Sequence, residues 1–260
     1  MELVHVSVDN HIATVVMDNP KNLNAIDIPM ANAISKALSD CEQNDDVKVV
    51  VLTGAGRAFS GGGDIGYFID EVKKPRFTMA PIVAAVAALP LQMKRMTKPV
   101  ITAVNGAAAG GGANLALAGD LIYMSDKAKL LQAFVNIGLA PDTGGAYLLP
   151  RIIGTTRAFE MFATGRPVGA EEAISIGLVT AAFPADELME NVQSMAARLV
   201  QGPALSYAYI KKMMYASMFG GFEAYMPSEV FYQNSCAQSD DFEEGITAFM
   251  NKRKPHFQGK

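Results

Sequence analysis

Two β-branched runs, VKVVVLTG at 47–54 and VITAV at 100–104, each lead into a block of glycines, SGGGDIG at 60–66 and NGAAAGGG at 105–112. Neither run alternates with polar residues, so each suits a strand buried on both faces. The glycines that follow lack a Cβ and let backbone or ligand approach closely. Ahead of them, LVHVSV and IATVVM read as two strands joined by a turn at Asp9-Asn10-His11. A helix is expected from about Asp27, its N-cap, to Cys41. A further unit begins with LIYM and KAKLLQ. Strands and helices alternate over residues 1–185, which predicts an α/β core of repeated strand-strand-helix units carrying the site. From residue 186 the pattern turns helical (LMENVQSMAARLV, ALSYAYIKKMMYASM, 222–237 and DFEEGITAFMNK), predicting a helical C-terminal region over 186–260.

Composition narrows the function classes. The 260 residues are 50% apolar and 18% charged, enough for one large core. A net charge of −4 without a basic stripe argues against nucleic acid as a partner. Two cysteines far apart, Cys41 and Cys236, and three histidines near the chain ends speak against a disulfide framework and against a metal site. MELVHVSVDN has neither the basic stretch nor the apolar run of a secretory signal. The apolar stretch from Met79 to Met93 is interrupted by Pro81 and Pro90 and is too short to span a bilayer. A cytoplasmic protein without metal, membrane or nucleic-acid partner is expected.

The first glycine block contains G-x-G-x-x-G at Gly61, Gly63 and Gly66, yet it does not read as a dinucleotide loop. Six residues, Gly54 to Phe59, part it from its strand, and about 20 positions on the chain has Pro81-Ile82-Val83 where an acid is required. G-x-x-x-x-G-K-[ST] is absent, and Ala58 breaks G-x-S-x-G. The second block sits between a strand and the helix ANLALAG, where first-turn N–H groups lack intrahelical partners and the dipole favours negative charge. Two such loops in one fold can aim two N–H groups at one oxygen, an oxyanion hole whose donors contribute roughly 3–4 kcal/mol each. For either block taken alone, tight strand–helix packing that excludes side chains is the slightly better reading, and the residues alone leave both open. Likewise Asp142, ahead of Thr143-Gly144-Gly145, reads most simply as an N-cap for the helix over AYLLPRII.

Asn19-Pro20 with Asn24-Ala25, AFSGGGDI, KPVITAVNGAAAGGGANLALAGD, IGLAPDTGGAYLLPRIIG, ATGRPVGAEEAISIGLV and EGITAFMNKRKPHFQGK, in that order over nearly the whole chain, resemble the enoyl-CoA hydratase/isomerase (crotonase) superfamily. The resemblance implies a crotonase-like spiral of ββα units with a helical C-terminal trimerisation region, assembled as a homotrimer or a dimer of trimers. It implies an acyl thioester substrate carried on coenzyme A or acyl carrier protein, with no separate cofactor. It puts the oxyanion donors on the N–H groups of Gly63 and Gly111. It likens the loop Ser60-Gly61-Gly62-Gly63-Asp64 to the segment whose carbonyls receive the adenine of coenzyme A, and Leu23-Asn24-Ala25 to the one that lines the pantetheine path. Ile65 is expected to bind substrate as well, and the span from Tyr67 to Met96 is expected to shape the acyl pocket.

Where hydratases of this family carry two glutamates that activate water, this chain has Asn114 and Phe134. The asparagine can orient a water or a polar group but cannot shuttle protons; the phenylalanine can do neither. One acid remains, Asp142. QAFVNIGLAPD-x-GG is similar to the branch that holds decenoyl-acyl-carrier-protein isomerases and the ring-opening isomerases of phenylacetyl-CoA degradation, where the acid at this position shuttles the proton. The expected activity is an enoyl-thioester isomerase working between positions 3 and 2. A weak hydratase and a non-catalytic thioester-binding member are the alternatives. Apolar neighbours Phe134, Leu139 and Pro141 are expected to desolvate Asp142 and raise its pKa.

Overall fold

The computed structural model describes residues 2–72 and 76–260. Strands form where the β-branched runs lie. β1 (Val4–Asp9) and β2 (Ile12–Met17) pair antiparallel around Asn10 and His11, which take φ of 49° and 66°. α1 (Ile28–Gln43) starts as read, with the Asp27 carboxylate accepting the Met30 N–H at 2.8 Å. Three units follow. The first is β3 (Val49–Gly54), β4 (Ala58–Ser60), α2 (Ile65–Val72) and α3 (Ala80–Arg95). The second is β5 (Val100–Val104), β6 (Ala107–Ala109) and α4 (Gly111–Leu117). The third is β7 (Leu121–Ser125), β8 (Lys129–Leu131), a 3-10 turn (Ala133–Ile137), α5 (Gly145–Ile153) and α6 (Thr155–Thr164). β9 (Pro167–Gly169), α7 (Ala170–Ser175) and β10 (Ala181–Phe183) complete the core.

Each unit gives one strand to each of two sheets. The larger runs β1-β2-β3-β5-β7-β10 and the smaller β4-β6-β8-β9. Apart from the β1–β2 and β8–β9 pairs, neighbours are parallel, so the chain advances by one strand in both sheets with every unit. This is the expected α/β architecture of repeated ββα units. Its consequence for the site is direct. β4 and β6 lie side by side, so the two glycine blocks that flank them are adjacent. The contact admits no side chain, since a Cβ on Gly106 would stand 2.1 Å from the Arg57 carbonyl oxygen and one on Gly62 would stand 2.5 Å from that of Ala109.

The C-terminal region is helical, as expected, but its helices close the core. α8 (Leu188–Val200) lays Leu188, Val192 and Ala196 on the large sheet, against Val49, Val51, Ile101 and Ala103. α9 (Ala204–Met214) leads through a π turn to α10 (Phe222–Ala237), and α11 (Asp240–Met250) follows. α10 packs on α3, stacks Phe222 on Tyr147 of α5 at 4.6 Å, and uses the Asn234 Oδ1 to accept the Met79 N–H at 2.8 Å. The span from Tyr67 to Met96, expected to shape the acyl pocket, is mostly α2 and α3; its residues 73–75 lie outside the described residues. α3 continues through Pro90. Among the described residues no helix is long and apolar enough to cross a membrane.

Candidate active site

Gly63 and Gly111 line one narrow cleft together with Ile26, Phe68, Met79, Ile82, Val86, Asp142 and Thr143. The flanking amides of both glycine blocks are spent. Gly61 N–H donates to the Leu23 carbonyl (2.7 Å), Gly62 N–H to Ser60 Oγ (3.2 Å) and Gly110 N–H to the Leu131 carbonyl (2.9 Å). Neither the Gly63 nor the Gly111 N–H meets an acceptor among the described residues. Gly111 opens α4 and so has no carbonyl four residues back within the helix. Gly62 and Gly110 take φ of 86° and 50°, which turns each block sharply before its unpaired amide.

Asp142 reaches the cleft from a strained turn. Thr143 (φ 54°) and Gly144 (φ 71°) are both left-handed, a region that costs a β-branched residue on the order of 1–3 kcal/mol. Three contacts fix the turn. The Asn114 Nδ2 donates to the Asp142 carbonyl oxygen at 2.7 Å, Gly145 N–H donates to the same oxygen at 2.9 Å, and Gly144 N–H donates to both carboxylate oxygens of Glu229 at 3.0 Å. The Asp142 carboxylate is thereby laid against Gly111, where a Cβ would stand 3.1 Å from Oδ1. Oδ1 accepts the Thr143 hydroxyl at 2.8 Å and Oδ2 accepts the Gln233 Nε2 at 3.1 Å. Among the described residues no cation faces the group. Desolvation pushes its pKa up to about 6, opposed by those two hydrogen bonds.

The simplest reading of Asp142, a helix cap, is corrected: α5 begins after Gly144 without a side-chain cap, because the left-handed pair turns the carboxylate away from the α5 amides. Several residues expected along the substrate carry structural duties through their side chains. Asn24 is fully buried; its Oδ1 accepts the Asn19 N–H, and its Nδ2 donates to the carbonyls of Ala55 and Ala58, all at 2.9 Å. Ser60, also buried, donates its hydroxyl to the Asn24 carbonyl at 2.8 Å. Asn114 receives the Gln132 Nε2 at 2.8 Å besides holding Asp142, so its amide is turned to the protein and not to a water in the cleft. Phe134 packs behind Gly110, 3.6 Å from where its Cβ would be, and does not line the cleft. The apolar lining of the cleft comes from Ile26, Phe68, Met79, Ile82 and Val86; Phe134, Leu139 and Pro141 do not line it. Ala25 is buried, whereas Gly61 is exposed and Ile65 half-buried at the rim; Asp64, half-buried, accepts from Asn22 Nδ2 (2.8 Å) and Tyr67 N–H (3.2 Å).

Glu229 and Gln233 were not anticipated. With Tyr225 they recur at every fourth position of α10 and form a polar stripe that faces inward, while Phe231 and Tyr232 of the same helix are exposed. That inversion of the usual pattern was the available signal. Burial, with the Asp142 charge adding to it, raises Glu229 to about 8 although Gly144 N–H favours its ionised form.

The sequence pattern of the enoyl-CoA hydratase/isomerase family matches residues 7–260. The chain is 37% identical to the trans-2-decenoyl-[acyl-carrier-protein] isomerase of Streptococcus mutans, over 98% of this chain and 97% of that protein. It is 36% identical to a probable enoyl-CoA hydratase of Rhodobacter capsulatus (99% and 98% covered) and 34% identical to the 1,2-epoxyphenylacetyl-CoA isomerase of Escherichia coli, over the whole of both. Among solved structures, an enoyl-CoA hydratase from Mycobacterium avium subsp. paratuberculosis superposes with a TM-score of 0.89 at 33% identity, over 98% of each chain.

Asn24 supplies a test of the structural reading. Asn24→Ala removes three hydrogen bonds to buried or half-buried backbone groups, each worth about 1 kcal/mol, and leaves alanine in a left-handed position. Thermal unfolding is expected about 5–10 °C lower. An unchanged Tm together with a raised KM for thioester would return Asn24 to the substrate.

Proposed function

This chain belongs to the enoyl-CoA hydratase/isomerase family, and within it we propose an enoyl-thioester isomerase that moves a double bond between positions 3 and 2 of an acyl thioester. One observation carries the reading: among the described residues a single carboxyl group, Asp142, faces the cleft, beside two amides without an acceptor, Gly63 and Gly111. The other acid nearby, Glu229, is turned to Gly144 N–H behind the turn.

The Asp142 carboxylate takes a proton from the carbon between the thioester carbonyl and the double bond. The released electron pair delocalises onto the carbonyl oxygen, and the Gly63 and Gly111 N–H groups hold that enolate oxygen. Protonated Asp142 then gives the proton to the carbon two positions further along, the electrons return, and the double bond lies next to the carbonyl. A raised pKa suits a group that must act as base and then as acid near neutrality. Hydration needs a second group to hold and activate water; Asn114 is committed to Gln132 and Asp142, and Phe134 offers nothing polar.

Coenzyme A or acyl carrier protein bears the acyl group as part of the substrate, and the names of the relatives divide between the two. Exposed Tyr209, Met213, Met214, Phe231, Tyr232 and Phe249 on the C-terminal helices support a homotrimer or a dimer of trimers. The free thiols of Cys41 and Cys236 suit a cytoplasmic setting.

Assayed with 3-enoyl thioesters on both carriers, the protein is expected to form the 2-enoyl product at least about 100-fold faster than it hydrates a crotonyl thioester. Equal or faster hydration would contradict an isomerase. The pH dependence follows from the sign of the Asp142 shift. Its base form predominates above pH about 6, so kcat/KM should hold steady at neutrality and fall about tenfold per unit below that midpoint. A midpoint in the ordinary carboxylate range near 4 would show that desolvation does not tune the base.

A further inference from the structure

A carboxyl group that shuttles a proton must be tolerated in two states. Ionised, it wants donors; protonated, it needs an acceptor for its O–H. Fixed cations satisfy only the first state, and a protein that placed a lysine or arginine beside Asp142 would hold the group ionised. Among the described residues the structure places none there. What touches the carboxylate is a hydroxyl, from Thr143, and a primary amide, from Gln233, and both groups can donate or accept.

Gln233 is fully buried on α10, far along the chain from Asp142. Its Nε2 donates to Asp142 Oδ2, and its Oε1 has no hydrogen-bond partner among the described residues. A buried unpaired amide oxygen is costly, on the order of 1–3 kcal/mol, and is seldom retained without a purpose. Turning the amide end for end exchanges the two atoms. The oxygen then faces Asp142 Oδ2 and the NH₂ takes the unpaired place. Each orientation leaves one end unpaired, so the protonation state of Asp142 decides between them.

We propose that Gln233 is the positioning residue of the Asp142 carboxyl and serves it in both its ionised and its protonated form by turning its amide. The inference rests on the isomerase reading. It gives the C-terminal helix a share in the site beyond packing on α3. The titratable groups near Asp142 are Glu229 and Tyr225, both on α10. Tyr225 is held above the usual phenol range by burial and by Glu229. Glu229 bonds Gly144 N–H and does not touch the Asp142 carboxylate, which leaves Gln233 and Thr143 as the only side chains bonded to it among the described residues.

The test uses Gln233→Met, which keeps the length and removes both hydrogen-bonding atoms, and Gln233→Glu, which keeps the shape. With a 3-enoyl thioester, Gln233→Met is expected to lower kcat about tenfold or more while KM stays within about twofold, because the loss falls on a group that acts on the reacting carbons and not on binding. The acid limb of kcat/KM should move to higher pH, since the charge-assisted bond lost by the ionised carboxylate is stronger than the neutral one lost by the protonated form. Gln233→Glu should move that limb in the same direction, because two carboxyl groups in contact cannot both ionise freely. A merely structural glutamine would change Tm and leave the limb in place. If either variant folds with wild-type kcat and an unmoved acid limb, the positioning role is overturned while the isomerase reading stands. If the wild-type protein converts no 3-enoyl thioester at all, the reading falls and this inference with it. Should Gln233→Met fail to fold, Gln233→Glu decides.

Discussion

The hydrogen bond from the Asn114 amide to the Asp142 carbonyl oxygen, 2.7 Å long, ties the helix that follows the second glycine block to the turn that carries the acid. Without it, only the Gly145 and Gly144 N–H bonds would hold two left-handed residues in succession and keep Asp142 against Gly111. The bond is itself braced, because Gln132 fixes the other end of the same amide and a Cβ on Gly145 would collide with it at 2.1 Å. The position that resemblance assigned to water is thus a strut. The energy spent on a left-handed threonine is offset by contacts from α4 and α10, and the result is a carboxyl group whose place relative to two unpaired amides is fixed before any ligand arrives.

The same logic runs through the glycine blocks. β4 and β6 are three residues each, and their side-by-side pairing brings the blocks so close that a Cβ on Gly62 would stand 3.5 Å from the Gly111 amide nitrogen. Asn24 and Ser60, buried behind the first block, consume the backbone groups around it, so that the amide left over is the one facing the cleft. Desolvating an acid in this cage costs stability near neutrality. With its folded pKa raised to about 6, Asp142 favours the folded state most below its unfolded value near 4, and that advantage is lost as pH rises through 6. Glu229, raised to about 8, adds a second such cost. Function and stability are opposed here in the way expected of a site tuned by burial.

Much of this was legible in the residues. VKVVVLTG and VITAV could only be buried strands, Asp27 announced a helix, and the glycine blocks marked close backbone approach. The short strands β4 and β6 were not legible, because AFS and AAA carry no β-branched signal and exist through their pairing. Asn24, Ser60 and Asn114 were assigned to ligand by the family resemblance, and only the three-dimensional partners reveal that each side chain is used up. The inward stripe of Tyr225, Glu229 and Gln233 has the spacing of a helix face, yet its meaning depends on the Gly144 amide and the Asp142 carboxylate, which lie about 90 residues away in sequence and directly opposite in space.

Turnover of a 3-enoyl thioester by Asp142→Asn is the most direct test of the central claim, that one desolvated carboxyl group beside two amides performs the chemistry. The substitution keeps shape and removes the base, so the variant should fold with a Tm at pH 7 no lower than that of the wild type and should lose isomerase activity by about a thousandfold. A folded variant that turns over near the wild-type rate would contradict the account.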